Sequence, residues 1–199
     1  NQKGYNILIQ LLALKIYDEK HNSANLKYYI NPSEAEYKNI TDDSLQDFLD
    51  RIDSVRKAAK TSYTKILGEN YFDRKNGNQV RVVAEIVKQF QNYSFTYSER
   101  NNLYQLVFYR FASQFSKADN AQFITPLQII DFIVDMVNPK HNESIIDPTV
   151  GIADFLSVSY VKSNGKLDDT NVYGMDIDDD MVKLATLNML LNGDGNATI

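Results

Sequence analysis

The run from Ser144 to Gly151, Ser-Ile-Ile-Asp-Pro-Thr-Val-Gly, constrains the fold of this 199-residue chain more than any other. So short an apolar run, bounded by turn residues, predicts a buried strand ending at Asp147. Pro148 stiffens the exit, and Gly151 lets the backbone turn tightly and approach a ligand closely. Phe155 and Leu156 then open a helix whose apolar side chains lock it onto the sheet. A second strand, Asn171 to Met175, ends at Asp176 and feeds a helix finishing at Asn192-Gly193. Ala197-Thr198-Ile199 reads as the start of a third strand. Strands separated by helices imply parallel pairing with right-handed crossovers. Strand, glycine turn, helix, strand and acidic residue is the layout of a nucleotide-type cofactor site at the carboxyl edge of such a sheet. Two strands and an edge do not bury a helix on each face, so the sheet is expected to continue beyond this chain. Asn1 in place of Met is likewise expected of a piece of a longer protein.

The region ahead of this unit has a different character. Tyr5 to Tyr17 is densely apolar and predicts a helix buried on most sides. Leu45, Phe48, Leu49, Ile52, Val55, Ala59, Tyr63 and Ile66 recur at three- and four-residue steps, which predicts an amphipathic helix ending near Gly68. Asp43 with Gln46, or Ser44 with Asp47, could cap its start. Val80, Val83, Ile86, Val87 and Phe90 mark another helix, and Leu103 to Phe115 a further one. Between the first two, His21 to Asp43 is polar, with Asn31-Pro32 as a breaker, and predicts a loop or short strand. The change of character falls near Ser116 to Ala121.

Composition narrows the chemistry. A hydrophobic content of 43% suits a globular protein. The absence of cysteine removes disulfides and zinc–thiolate sites, and His21 and His141 stand far apart, so no metal is expected. The longest greasy run, Ile7 to Ile16, is far short of the roughly 20 residues that span a bilayer. With no leader pattern either, a cytoplasmic protein is expected. A net charge of −5 argues against broad coating of nucleic acid, since phosphate binding rests on Lys and Arg. The bases from Arg51 to Arg81, with Arg56, Lys57 and Lys60 at helical spacing, read as a solvated face rather than a DNA-facing stripe.

Several residues carry candidate chemistry. Thr125-Pro126-Leu127-Gln128 is a helix start: Thr125 can cap, Pro126 suits the first helical position, and Gln128 completes a capping box. Helix initiation alone explains these residues, yet a helix N-terminus also binds a carboxylate. Asp176 closes a strand where an acid can accept both hydroxyls of a ribose, and its distance from the glycine turn is near the roughly 20 residues of the dinucleotide fingerprint. Asp178, Asp179 and Asp180 read as acids stabilised at a helix N-terminus. They are not a calcium loop, because Met181 and Leu187 stand where glycine and glutamate are required.

Three landmarks in this order carry a resemblance. Phe123-x-Thr125-Pro126, the run Asp147 to Leu156, and Tyr173-Gly174-Met175-Asp176 together resemble the S-adenosylmethionine half of the adenine-specific DNA methylases, especially the modification subunits of type I restriction systems. The resemblance implies a mostly α N-terminal bundle over residues 1–118. After it, over residues 119–199, comes the first part of a Rossmann-like α/β S-adenosylmethionine-dependent methyltransferase domain. It implies methyl transfer to the exocyclic amino group of adenine in double-stranded DNA, with a specificity subunit and a restriction subunit as partners. The cofactor-binding residues it implies are Gln122, Phe123, Thr125, Pro126, Asp147, Gly151, Ile152, Ala153, Asp154, Asp176 and Ile177, with Ile177 beside the adenine ring. Catalysis in the family belongs to an Asn-Pro-Pro-aromatic loop that holds a flipped base. The chain has no such loop: Asn31-Pro32 and Asn138-Pro139 lack the second proline. No catalytic residue is therefore expected here, and this piece alone is expected to be inactive.

The chain departs from the family at Gly151-Ile152-Ala153-Asp154, where Gly-x-Gly and a small residue are usual. Alanine is tolerable if its backbone is ordinary. Asp154 sets a carboxylate where the amino-acid end of the cofactor approaches, to pair with its ammonium or to oppose its carboxylate. Asp176 stands where the family usually has glutamate. Two other readings compete. A nicotinamide-dependent dehydrogenase needs three glycines in the first turn, and the chain supplies one. A non-catalytic assembly module on a degenerate methylase core is compatible with Ala153 and Asp154.

Overall fold

The computed structural model describes residues 2–68, 71–95, 124–163, 167, 171–192 and 197–199. The chain divides into two compact units, Asn1–Tyr97 and Ser98–Ile199. The expected boundary at 118/119, and the helix expected from Leu103 to Phe115, lie outside the described residues.

Among the described residues the first unit contains four helices, α1 (Gln2–His21), α2 (Pro32–Ala35), α3 (Asp43–Ala59) and α4 (Gly77–Phe90). Helix α1 packs against α3 and α4, and α2 against α3. The predicted stripe of α3 is buried from Leu45 through Ala59, and Ile7, Leu11 and Leu14 of α1 are buried as well. Three expectations need correction. Helix α3 ends at Ala59, and Tyr63 and Ile66 reach the core from the turns that follow. The apolar spacing continues because the turns coil nearly as tightly as a helix; Tyr63 N–H still bonds to the Ala59 carbonyl. Asp42, not Asp43 or Ser44, is the N-cap of α3, and its carboxylate accepts from Lys38 and Asn39 N–H instead of from the helix. The polar connection contains α2, a single turn that Asn31-Pro32 starts rather than breaks, since proline suits a first turn and Glu34 accepts the Asn31 N–H at 2.8 Å.

Buried charge ties this unit together. Asp18, fully buried, accepts the Lys27 and Tyr28 N–H groups at 2.7 and 2.8 Å and pins the loop after α1. Lys15 and Glu19 pair at 3.0 Å one helical turn apart. The basic stretch is not simply a solvated face. Arg51 pairs with Glu34 and donates to the Tyr29 carbonyl, and Arg74 bridges Asp50 and Asp53. Arg56 lies over the Tyr71 ring and donates to the Gly68 carbonyl. Lys57 and Lys60 remain exposed, as expected.

The second unit runs α5 (Leu127–Val137), β1 (Ile145–Asp147), α6 (Asp154–Lys162), β2 (Val172–Gly174) and α7 (Asp179–Leu191). Strands β1 and β2 are parallel, with Ile145 opposite Val172 and Asp147 opposite Gly174. Thr198 continues the ladder by a parallel bridge to Tyr173, as the apolar end of the chain predicted. The two strands are less buried than expected. Ile146 and Tyr173 point to an exposed face, while Ile145 and Val172 face the other side, toward Val150, Leu156, Ala185 and Met189. The far side of α6 meets α5 through Val158, Ile130 and Val134, and Lys162 holds Asp131 and Asp135 of α5.

Gly174 makes the strand–turn packing possible. A Cβ there would lie 2.8 Å from both Ile199 Cδ1 and Val150 Cγ2. Gly174→Ala is therefore expected to destabilise the second unit by about 1–3 kcal/mol, the usual cost of overpacking. Urea denaturation checks this, and an unchanged midpoint would mean that the packing relaxes freely.

Candidate functional site

The two strand ends converge on one turn. Beyond β1, Thr149 N–H bonds to Asp147 Oδ1 at 3.0 Å, and Met175 N–H to the Asp147 carbonyl. Val150 N–H bonds to the Met175 carbonyl, so the exits of β1 and β2 are stitched together. Gly151 then takes φ +52°, a conformation that suits glycine, and its N–H reaches Asp176 Oδ2 at 2.9 Å. Asp176 Oδ1 accepts the Asp178 N–H, also at 2.9 Å. Asp178 in turn caps α7, accepting from the Asp180 and Met181 N–H groups, the helix-start role expected of this acidic run.

A cavity of about 320 Å³ opens beside these turns. Of the residues expected at a cofactor site, Thr125, Asp147, Gly151, Ile152, Asp154 and Asp176 line it. Pro126 and Ala153 do not. Ile177 is fully exposed and also outside the lining. Gln122 and Phe123 lie outside the described residues. The lining further includes Ile124, Thr149, Val150, Ile130, Phe155 and Met181. Thr149 and Val150 belong to the same turn as Gly151, and Phe155 and Met181 to the first turns of α6 and α7, so their places follow once those helices start at the strand ends. Only Ile130, one turn into α5, gave no signal in the sequence.

One local expectation is corrected, and one condition set by the sequence is not met. Thr125 does not cap α5: Pro126 is the N-cap, with extended backbone, its carbonyl accepting from Ile129 and Ile130. The Thr125 side chain is thereby left to the cavity. Ala153 is not in an ordinary conformation. It sits at φ 61°, ψ 31°, the left-handed region, immediately before α6. For a residue with a Cβ this costs about 1–2 kcal/mol, which explains why glycine is usual there. The alanine methyl is fully buried in the core, which offsets part of that cost at about 0.8 kcal/mol per buried carbon.

Asp154 begins α6 with only 6% of its surface exposed. Asn188 of α7, fully buried, donates through Nδ2 to the Ile152 carbonyl at 2.7 Å and to Asp154 Oδ1 at 3.2 Å. Asn192 Nδ2 holds the Asn188 oxygen from one turn further on. Burial pushes the Asp154 carboxyl up to about 7, against the pull of the Asn188 hydrogen bond. A carboxyl raised in the folded state lends stability that is complete below its unfolded pKa near 4 and is lost as pH rises through the folded value near 7. Asp154→Asn keeps an acceptor for Asn188 and removes this titration. Between pH 4 and pH 8 the variant should gain on the native protein by about 2–4 kcal/mol in urea denaturation. A difference that stays constant with pH would mean that the carboxyl titrates normally.

Comparison with known proteins gives the family of the chain. The family model for N-6 DNA methylases matches residues 100–199, nearly the whole second unit. The methylase subunit of the type I restriction enzyme EcoEI from Escherichia coli is 26% identical over 216 aligned positions, covering 92% of this chain and 43% of the relative. The MjaVII methylase subunit from Methanocaldococcus jannaschii is 27% identical, over 59% of this chain and 21% of the relative. The HindI methylase subunit from Haemophilus influenzae is 28% identical, over 44% and 21%. The chain thus spans less than half the length of these relatives. With a family model covering half its length and the turn geometry above, the chain belongs to the N-6 DNA methylase family.

Proposed function

We propose that this chain is part of the DNA methyltransferase of a type I restriction-modification system, transferring a methyl group from S-adenosylmethionine to the exocyclic amino group of adenine in DNA. The observation that carries the reading is the cavity at the carboxyl ends of two parallel strands, with Asp176 and Gly151 at its edge, in a chain of this family. In this reading the second unit is the first part of a Rossmann-like methyltransferase domain beginning near residue 119, after the helical domain. Its partners are double-stranded DNA, a specificity subunit and a restriction subunit, all in the cytoplasm. Among the described residues no helix is long and apolar enough to cross a membrane.

The residues fit a nucleoside cofactor. Each Asp176 oxygen already accepts one N–H, and each keeps a second lone pair; two remaining acceptors side by side suit the two hydroxyls of a ribose. The cavity volume is at the lower end of the ~300–1,000 Å³ typical of ligand pockets. Ile124, Ile130, Ile152, Phe155 and Met181 supply apolar walls, and Ile177 offers an exposed apolar side chain next to Asp176. Bound there, S-adenosylmethionine supplies an electrophilic methyl group; the residues of this chain orient it. The adenine-gripping loop of the family is absent from this sequence, so these 199 residues alone should not methylate DNA.

A second reading, a non-catalytic assembly module on a methylase core, draws on the strained Ala153 and on the buried carboxyl of Asp154. Tritiated S-adenosylmethionine incubated with the full-length protein, its partner subunits and adenine-containing duplex separates the two. Label in adenine N6 is the expected result; cofactor-independent assembly with no label would favour the module. Within the binding site, Asp176→Ala should weaken S-adenosylmethionine by roughly 1.5–3 kcal/mol, the scale of hydrogen bonds to a charged group. Calorimetry on the full-length protein checks this, and unchanged affinity in a folded variant would remove Asp176 from the site.

A further inference from the structure

Asn188 is not in the lining of the cavity, yet its side chain holds the turn that forms one of the cavity walls. It is fully buried on α7. Its Nδ2 donates to the Ile152 carbonyl at 2.7 Å and to Asp154 Oδ1 at 3.2 Å. Asn192, one helical turn on, donates its own Nδ2 to the Asn188 side-chain oxygen at 2.9 Å, which orients the amide so that its nitrogen faces the turn. The Ile152 carbonyl accepts no backbone N–H among the described residues, and a buried carbonyl needs a partner. Asn188 is that partner.

This hydrogen bond is coupled to the strain in the turn. Gly151 and Ala153, on either side of Ile152, both have positive φ, 52° and 61°. Helix α6 is fixed by its packing on α5 and β1. Rotation about the Ala153 N–Cα bond therefore swings the Ile152–Ala153 peptide, and relaxing Ala153 to negative φ turns the Ile152 carbonyl away from Asn188. Sterics favour that relaxation for a residue with a Cβ. Leaving a buried acceptor without its donor opposes it. From this geometry we infer that Asn188 is a positioning residue for the proposed cofactor site: by holding the Ile152 carbonyl it keeps Ala153 left-handed, and so keeps Gly151, Ile152 and Asp154 along the cavity wall. The inference rests on the cofactor reading and adds a residue that does not touch the ligand. It has a specific consequence. Glycine adopts positive φ without steric cost, so Ala153→Gly should make the Asn188 clamp dispensable.

The test is a double-mutant cycle on the full-length protein. S-adenosylmethionine affinity is read by calorimetry, and KM and kcat are read with the partner subunits and adenine-containing duplex. Asn188→Ala should weaken the cofactor at least about tenfold, raising its KM while kcat at saturating cofactor stays within about twofold. In the Ala153→Gly background the same change should cost less than about threefold. Leu187, also fully buried on α7, supplies the control: Leu187→Ala should lower the melting temperature by at least as much and leave cofactor affinity unchanged. If Asn188→Ala does not fold, Asn192→Ala decides the matter, since it only frees the Asn188 amide; affinity should fall about threefold, and only with alanine at position 153. An equal loss in both backgrounds, no loss in a folded variant, or the same loss in Leu187→Ala overturns the inference while leaving the cofactor site standing. Failure of the native protein to bind S-adenosylmethionine overturns the cofactor reading itself, and the inference with it.

Discussion

Asp176 accepts two backbone N–H groups that belong to different turns. The Gly151 N–H comes from the turn after β1 and the Asp178 N–H from the turn after β2, each at 2.9 Å. One carboxylate therefore sets the spacing between the starts of α6 and α7, and with it the width of the cavity that lies between them. Hydrogen bonds to a charged acceptor contribute about 1.5–3 kcal/mol each, more than a neutral pair in the same place. The rest of the site follows from that junction. Val150 is held to Met175, Gly151 is driven to positive φ, and Ala153 is forced into the left-handed region before α6 begins. The carboxylate that shapes the turns also has unused lone pairs, so the residue that builds the turns is the one that, in the proposed reading, would hold the ribose.

The chain's departure from its family lies in the same turn. Ala153 keeps the glycine conformation without being glycine, and its buried methyl recovers part of the strain. Asp154 puts a charge under a helix start where a small residue is usual, and Asn188 and Asn192 form a buried amide ladder beneath it. The favourable helix dipole at the start of α6 does not offset the loss of water around the carboxyl, which is why burial dominates its titration. Together the two residues give this turn a left-handed backbone that carries a methyl group and a buried, pH-sensitive carboxyl.

Much of the second unit was legible because its signals are local. The strands, the glycine turn, the capping acids of α7 and the apolar end at Thr198 each announce themselves within a few residues, and six of the expected site residues line one cavity. The first unit was legible where a period of three to four dictated burial, as in α3. It was not legible where tertiary contacts decided. Tyr63 and Ile66 keep helical spacing in turns, and Asn31-Pro32 opens a helix because Arg51 holds Glu34 in place. Arg56 and Arg74 look like solvent-facing charge in the sequence and are held by a tyrosine ring and two aspartates. Ala153 could not have been read at all, since its conformation is imposed by the junction on either side of it.

The central claim is that the junction made by Asp176 is a nucleoside-cofactor site. A crystal structure of the full-length protein soaked with S-adenosylmethionine tests it most directly. The account predicts the ribose hydroxyls on Asp176 while that carboxylate keeps its bonds to Gly151 and Asp178, with the amino-acid end of the cofactor at Asp154. Cofactor bound outside the cavity, or an Asp176 that must abandon the Gly151 N–H to reach it, would contradict the account.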